Sequence, residues 1–124
     1  MLLDTDVMID VLRGHPPAIG WLAGQGTTLV GLPGLVAMEL LQGCQNLSDQ
    51  QRLEKQLLRF VLHWPTPADC QRAYLDFAAY RLSHNLGLLD SLIGHTAVGL
   101  NDRLASFNLK HYGVIAGLQA FQPY

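Results

Sequence analysis

Short apolar runs alternate with helical stripes along the whole chain, and this alternation restricts the fold more than any other feature. Met1–Leu3, Thr27–Leu32, Val61–Trp64, Leu104–Phe107 and Leu118–Phe121 are brief aliphatic or β-branched stretches, most of them bounded by Gly, Pro or an acidic residue. They read as buried strands. After the first, Val7, Met8, Val11 and Leu12 fall at helical spacing before Gly14 and Pro16, and Ile19, Trp21 and Leu22 suggest a second short helix closed by Gly24-Gln25-Gly26. Leu35, Met38, Glu39 and Leu41 lie on a helix that stops near Gly43. Ser48 with Gln51 fits a capping box ahead of Leu53, Leu57 and Phe60. Thr66, Pro67 and Asp69 supply the cap of a longer helix, striped by Cys70, Ala73, Tyr74 and Phe77 and ending near Asn85-Leu86-Gly87. A further helix runs from Ser91 to about Val98. The alternation predicts an α/β fold with a central parallel sheet flanked by helices. In such sheets ligands bind beyond the carboxyl ends of the strands, where the strand order reverses.

The 124 residues are enough for one domain, spanning 1–124. Apolar types make up 49% of the chain and charged types only 15%, which excludes intrinsic disorder. With 8 basic and 10 acidic residues the net charge is −2, so no broad basic patch can coat a nucleic acid; any such partner must be met at a local site, with cations added. The longest stretch without Asp, Glu, Lys or Arg, Gly14 to Met38, carries three prolines and six glycines and cannot be a membrane helix. The acidic start is unlike a signal peptide. Cys44 and Cys70 have no metal spacing and read as buried small residues in a reducing compartment. A soluble cytoplasmic protein is the expectation. So few charges also imply exposed apolar surface and hence a partner. The uncharged helix with Ile19, Trp21 and Leu22 is the candidate contact, unless Trp21 belongs to the monomer core.

Four carboxylates stand out by position. Asp4 directly follows the first apolar run, where a buried strand leaves it in need of a counter-charge. Asp6 begins the next helix, where capping explains it equally well. Glu39, one of two glutamates, sits inside Leu35-Val36-Ala37-Met38-Glu39-Leu40-Leu41, the least polar helix; a solvent-facing position is the alternative. Asp90 repeats the first pattern after Leu88-Leu89, with an N-cap as the alternative. Asp4, Glu39 and Asp90 together suggest one acidic cluster, which makes sense only around a divalent cation. All-oxygen ligation favours Mg²⁺ or Mn²⁺ over Zn²⁺.

Four segments occur in order: Leu2-Leu3-Asp4-Thr5-Asp6-Val7-Met8-Ile9-Asp10, Met38-Glu39-Leu40-Leu41-Gln42-Gly43, Leu89-Asp90-Ser91-Leu92-Ile93 and Ser106-Phe107-Asn108-Leu109-Lys110-His111-Tyr112. The chain thereby resembles the PIN domain family, and more narrowly the VapC-type ribonuclease toxins of toxin–antitoxin pairs, over nearly its whole length. The resemblance implies a PIN-like parallel sheet of four to five strands and a Mg²⁺- or Mn²⁺-dependent endoribonuclease with Asp4, Glu39 and Asp90 as catalytic and metal-holding residues. Asp6, Ser106 and Asn108 are implied to support them; Ser106 keeps the hydroxyl of the family's usual threonine, and Asn108 the amide form of the acidic position. An RNA substrate, a cognate antitoxin and a homodimer are implied as partners. His111-Tyr112 is similar to the family's His-Phe pair and reads as packing.

Among the sparse basic residues, Arg13 and Lys110 are the candidates to approach a phosphate, with solvated surface charge as the plainer reading. The five histidines show no zinc pairing. Competing readings are a PIN-like binding module without activity, a haloacid-dehalogenase-like phosphotransferase with Asp4 as nucleophile and Asp6 as general acid, and a receiver domain.

Overall fold

All five strands form, each only two or three residues long. The computed structural model describes residues 1–124. Its elements are β1 (Leu2–Leu3), α1 (Thr5–Leu12), α2 (Pro16–Ala23), β2 (Gly31–Pro33), α3 (Gly34–Gln42), α4 (Leu47–Leu57), β3 (Val61–His63), α5 (Pro67–Tyr80), α6 (Leu88–Gly99), β4 (Arg103–Ala105), α7 (Leu109–Tyr112) and β5 (Gln119–Phe121). The sheet is parallel throughout, in the order β3-β2-β1-β4-β5. β1 is central: Leu2 pairs with Gly31 on one side and Leu104 on the other. With both side chains of β1 buried, its apolar composition follows from having no solvent-facing side. No helix is long and apolar enough to cross a membrane.

Several boundaries differ from the sequence reading, each for a local reason. Thr27–Val30 is not strand; Gly26 takes a positive φ of 62°, Thr28 N–H turns back to the Gln25 carbonyl, and Leu29 is 88% exposed with no strand to pair. Pairing starts only at Gly31, where a Cβ would lie 2.8 Å from the His63 ring nitrogen, so that close approach requires glycine. α4 is capped by Asn46, whose side chain accepts from Asp49 N–H, and not by a Ser48–Gln51 box. The Thr66–Asp69 capping box is present. α5 stops at Tyr80, short of Asn85, which turns with a positive φ of 54°. α6 starts at Leu88, so Asp90 is the third residue of a helix and neither follows a strand nor caps. The one-turn α7 was not anticipated. Cys44 is half-buried and Cys70 exposed, against the expectation that both are buried. Trp21 is half-buried against Phe121 and Tyr124, at ring distances of 6.4 and 6.0 Å, so it packs on the chain's own end and leaves Ile19 exposed.

α6 is the most buried helix and is fastened to α5 by polar groups. Ser91 Oγ donates to the Ala73 carbonyl at 2.8 Å, and His95 Nε2 lies 2.7 Å from Asp76 Oδ2. His95 is thus a structural histidine. On the other flank Gly94 lets Ile115 close in: a Cβ there would lie 2.6 Å from the Ile115 methyl. Gly94→Val should therefore destabilise the fold by about 1–3 kcal/mol through overpacking, read as a lower urea midpoint at unchanged slope.

Candidate active site

The register of β1 against β4 pairs Leu3 with Ala105, so the next residues, Asp4 and Ser106, leave the carboxyl edge of the sheet side by side. Asp4 N–H extends the ladder by donating to the Ala105 carbonyl at 3.0 Å. Asp4 is 5% exposed and caps α1, its Oδ1 accepting from Thr5 N–H at 2.8 Å. Ser106 Oγ lies 2.7 Å from Asp4 Oδ2 and 3.4 Å from Asp6 Oδ2. A hydroxyl has one proton to give, and the shorter contact assigns it to Asp4. The same oxygen accepts from Asn108 N–H at 2.9 Å. β1 and β4 adjoin where the strand order reverses, the position at which open α/β sheets bind ligands.

The other carboxylates arrive from separate elements. Asp6, the second residue of α1 and not its cap, accepts from Phe107 N–H at 2.9 Å and so ties the helix to the loop after β4. Glu39 is half-buried on α3, and Thr5 Oγ1 donates to its Oε1 at 3.1 Å; it does not simply face solvent. Asp90, in the first turn of α6, accepts from Asn108 Nδ2 at 3.2 Å, with His111 Nδ1 at 3.6 Å. Ser106 and Asn108 therefore bridge Asp4 to Asp90.

No lysine or arginine forms an ion pair with Asp4, Asp6, Glu39 or Asp90. The electrostatic result is a set of strained carboxylates. Burial, with the Asp6 charge adding to it, pushes Asp4 up to about 6, against the pull of Ser106 and Thr5. Burial raises Asp6 as well. Glu39 is raised by burial first and by the charge of Asp90 second. This donor set, all hard oxygen with no counter-charge, fits a divalent cation. No three of the His, Cys, Asp and Glu side chains stand together as one group that could hold a metal ion.

The basic candidates divide. Arg13 lines a groove of about 440 Å³ beside Thr5 and Glu39, together with Arg52, which the sequence reading did not single out. Lys110 is exposed on α7 without an ion pair and does not join the cluster. A larger hollow of about 610 Å³, lined by Leu12, Ile19, Leu22, Leu29 and Phe60, contains none of the acidic residues.

A family model, the PIN domain, matches residues 1–115. The chain belongs to the PIN domain family. It is 30% identical over 120 residues to Ribonuclease VapC10 of Mycobacterium tuberculosis, covering 96% of this chain and 90% of that protein. Among solved structures it is similar to a chain of a toxin–antitoxin complex from Klebsiella pneumoniae, with a TM-score of 0.77 and 25% identity over 99% of this chain and 97% of that one. The VapBC-1 structure from nontypeable Haemophilus influenzae shares the fold at a TM-score of 0.78 and 23% identity, over 98% and 96% of the two chains. Family membership removes the phosphotransferase and receiver-domain alternatives.

Two groups of this PIN domain's site escaped the sequence reading. Thr5 was passed over although it stands between the two aspartates. Tyr112, read as packing, is buried on the turn that Asn108 ties to Ser106, and its hydroxyl has no partner. Its signal was a polar tip on an otherwise apolar position.

Burial of Asp4 has a measurable consequence. A folded-state pKa raised from 3.8 to about 6 means the native protein holds a proton that the unfolded chain releases. The associated stability is present below pH 3.8 and lost as pH rises through about 6. Two units correspond to about 3 kcal/mol. Asn caps a helix as well as Asp. In EDTA, Asp4→Asn should therefore exceed wild type in stability above pH 6 by up to that amount, with the gap closing toward pH 4, measured by urea unfolding across that range.

Proposed function

We propose that the chain is a divalent-cation-dependent endoribonuclease, the toxin of a toxin–antitoxin pair. The observation that carries this reading is that Asp4 and Asp6 at the carboxyl edge of β1 and β4, with Glu39 and Asp90 linked to them through Thr5, Ser106 and Asn108, have no lysine or arginine paired to them. Likeness to Ribonuclease VapC10 supports RNA as the substrate, since phosphodiester hydrolysis by such a site does not itself require a 2′-OH.

In this reading Asp4 and Asp90 would hold Mg²⁺ or Mn²⁺, with Ser106 and Asn108 fixing the orientation of the two carboxylates. A bound divalent cation supplies charge neutralisation at the phosphodiester and a lower pKa for a nearby water. Glu39, oriented by Thr5, is set to accept the proton of the attacking water, and its raised pKa suits a general base. Asp6 braces the loop after β4. Arg13, which lines one groove with Glu39, binds a phosphate of the flanking strand, and Lys110 on α7 is the second candidate for such a contact.

Cleavage of labelled single-stranded RNA in Mg²⁺ or Mn²⁺, set against EDTA, tests the reading. Asp4→Asn and Asp90→Asn should fall to background while remaining folded, and full activity in either overturns the assignment. Glu39→Gln should lose about 10²–10⁴-fold in rate, as loss of a general base does, yet retain more Mg²⁺ affinity than Asp4→Asn when titrated by calorimetry.

A cognate antitoxin and a second copy of the chain are the proposed partners. Similarity to a chain of a toxin–antitoxin complex supports the first. The edge strand β3, paired with β2 on one side only, with Val61, Leu62 and Trp64 exposed beside exposed Leu58 and Met38, supports a covered surface. Light scattering should find a dimer at micromolar concentration; a monomer at that concentration overturns self-association.

A further inference from the structure

The hydroxyl of Tyr112 is buried without any hydrogen-bond partner. The residue is 1% exposed on α7, where Tyr112 N–H reaches the Asn108 carbonyl at 3.3 Å. Its ring lies against α6, with a ring carbon 3.5 Å from the place where a Cβ on Gly94 would stand. Packing therefore fixes the ring, and a phenylalanine would fill the same space. A buried hydroxyl left unpaired is a cost that phenylalanine avoids, so the oxygen calls for a reason.

Its surroundings supply one. Asn108, whose carbonyl takes the Tyr112 N–H, gives its own N–H to Ser106 Oγ, which donates to Asp4, and its side chain reaches Asp90, so the turn that carries Tyr112 is tied to both carboxylates. Burial, and after it the Asp4 charge, push the Tyr112 phenol up, in keeping with that placement, although no bond of good geometry joins the hydroxyl to Asp4. Hydrogen bonds of this kind are often long in an unliganded site and tighten when the site is filled. Asp4 already accepts from Thr5 N–H on Oδ1 and from Ser106 Oγ on Oδ2. A carboxylate has about four acceptor positions.

We propose that Tyr112 is a positioning residue for Asp4: its hydroxyl becomes the third donor to that carboxylate when a divalent cation binds, leaving one acceptor position for the ion. The proposal rests on the cation-dependent reading above. Donors behind a metal ligand set its orientation, and their removal typically weakens metal affinity by about 10–100-fold.

The test compares wild type, Tyr112→Phe and Asp4→Asn by calorimetric Mn²⁺ titration, thermal unfolding in EDTA and the near-ultraviolet tyrosine difference spectrum on adding Mn²⁺. Tyr112→Phe should unfold in EDTA at the same temperature as wild type or higher, since an unpaired hydroxyl is lost. It should bind Mn²⁺ about tenfold more weakly, lack the Mn²⁺-induced tyrosine band and regain a near-normal cleavage rate when Mn²⁺ is saturating. Wild-type Mn²⁺ affinity in Tyr112→Phe, with binding lost in Asp4→Asn, overturns the role of Tyr112 and leaves the cation site standing. The same affinity with lower stability in EDTA makes the hydroxyl purely structural and also overturns it. Equal Mn²⁺ binding by wild type and Asp4→Asn overturns the cation reading and this proposal with it.

Discussion

Because β1 and β4 run parallel with Leu3 opposite Ala105, the residue after each strand emerges at the same height on the carboxyl edge of the sheet. Asp4 and Ser106 are neighbours for that reason alone, though 102 positions separate them along the chain. Everything else at the site hangs on this pairing. Asp4 opens α1, which carries Thr5 toward Glu39 and Asp6 toward the loop after β4. Ser106 opens that loop, and its oxygen anchors Asn108, which turns to Asp90. A one-residue slip of β4 would exchange the faces of its side chains and remove the serine from the carboxylate.

The same pairing creates an electrostatic conflict. Four carboxylates from three helices and a strand end are gathered with no lysine or arginine paired to them. Burial is the first cause of the raised pKa at Asp4, Asp6 and Glu39. What makes the arrangement tolerable is the positive end of two helices: Asp4 and Asp6 sit at the start of α1, and Asp90 sits in the first turn of α6. Helix N-termini favour negative charge by a few tenths to about 1 kcal/mol each, less than full burial of a carboxylate demands. The site is thus held at a cost in stability.

Legibility differed between strands and site. Strand existence was plain because runs such as Leu2-Leu3 and Leu104-Ala105 have no polar side to offer. Their ends were not, since Leu29 and Val30 look as apolar as Leu32 yet lie where no partner strand reaches. Asp4 and Glu39 could be singled out by their apolar neighbours. Asp90 was singled out for a reason the fold does not share: it stands within a helix, and its place at the site comes from the first turn of α6 and not from a strand end. Thr5 and Tyr112 were hidden because a threonine between aspartates and a tyrosine on an apolar stripe are ordinary in sequence.

By itself, then, the sequence determined the class of fold, the order of the strands and of every helix but the one-turn α7, and the identity of the carboxylates that apolar surroundings make costly. Those are local properties, set by side-chain chemistry and by periods of two and 3.6 residues. Which of the carboxylates share one space, that Ser106 gives its proton to Asp4 and not Asp6, and that the Tyr112 hydroxyl ends unpaired were decided only by the tertiary structure. Each depends on the parallel register of β1 with β4 and on the packing of α6 and α7 against the sheet. Such contacts join residues up to about a hundred positions apart, a distance across which side-chain periodicity carries no information.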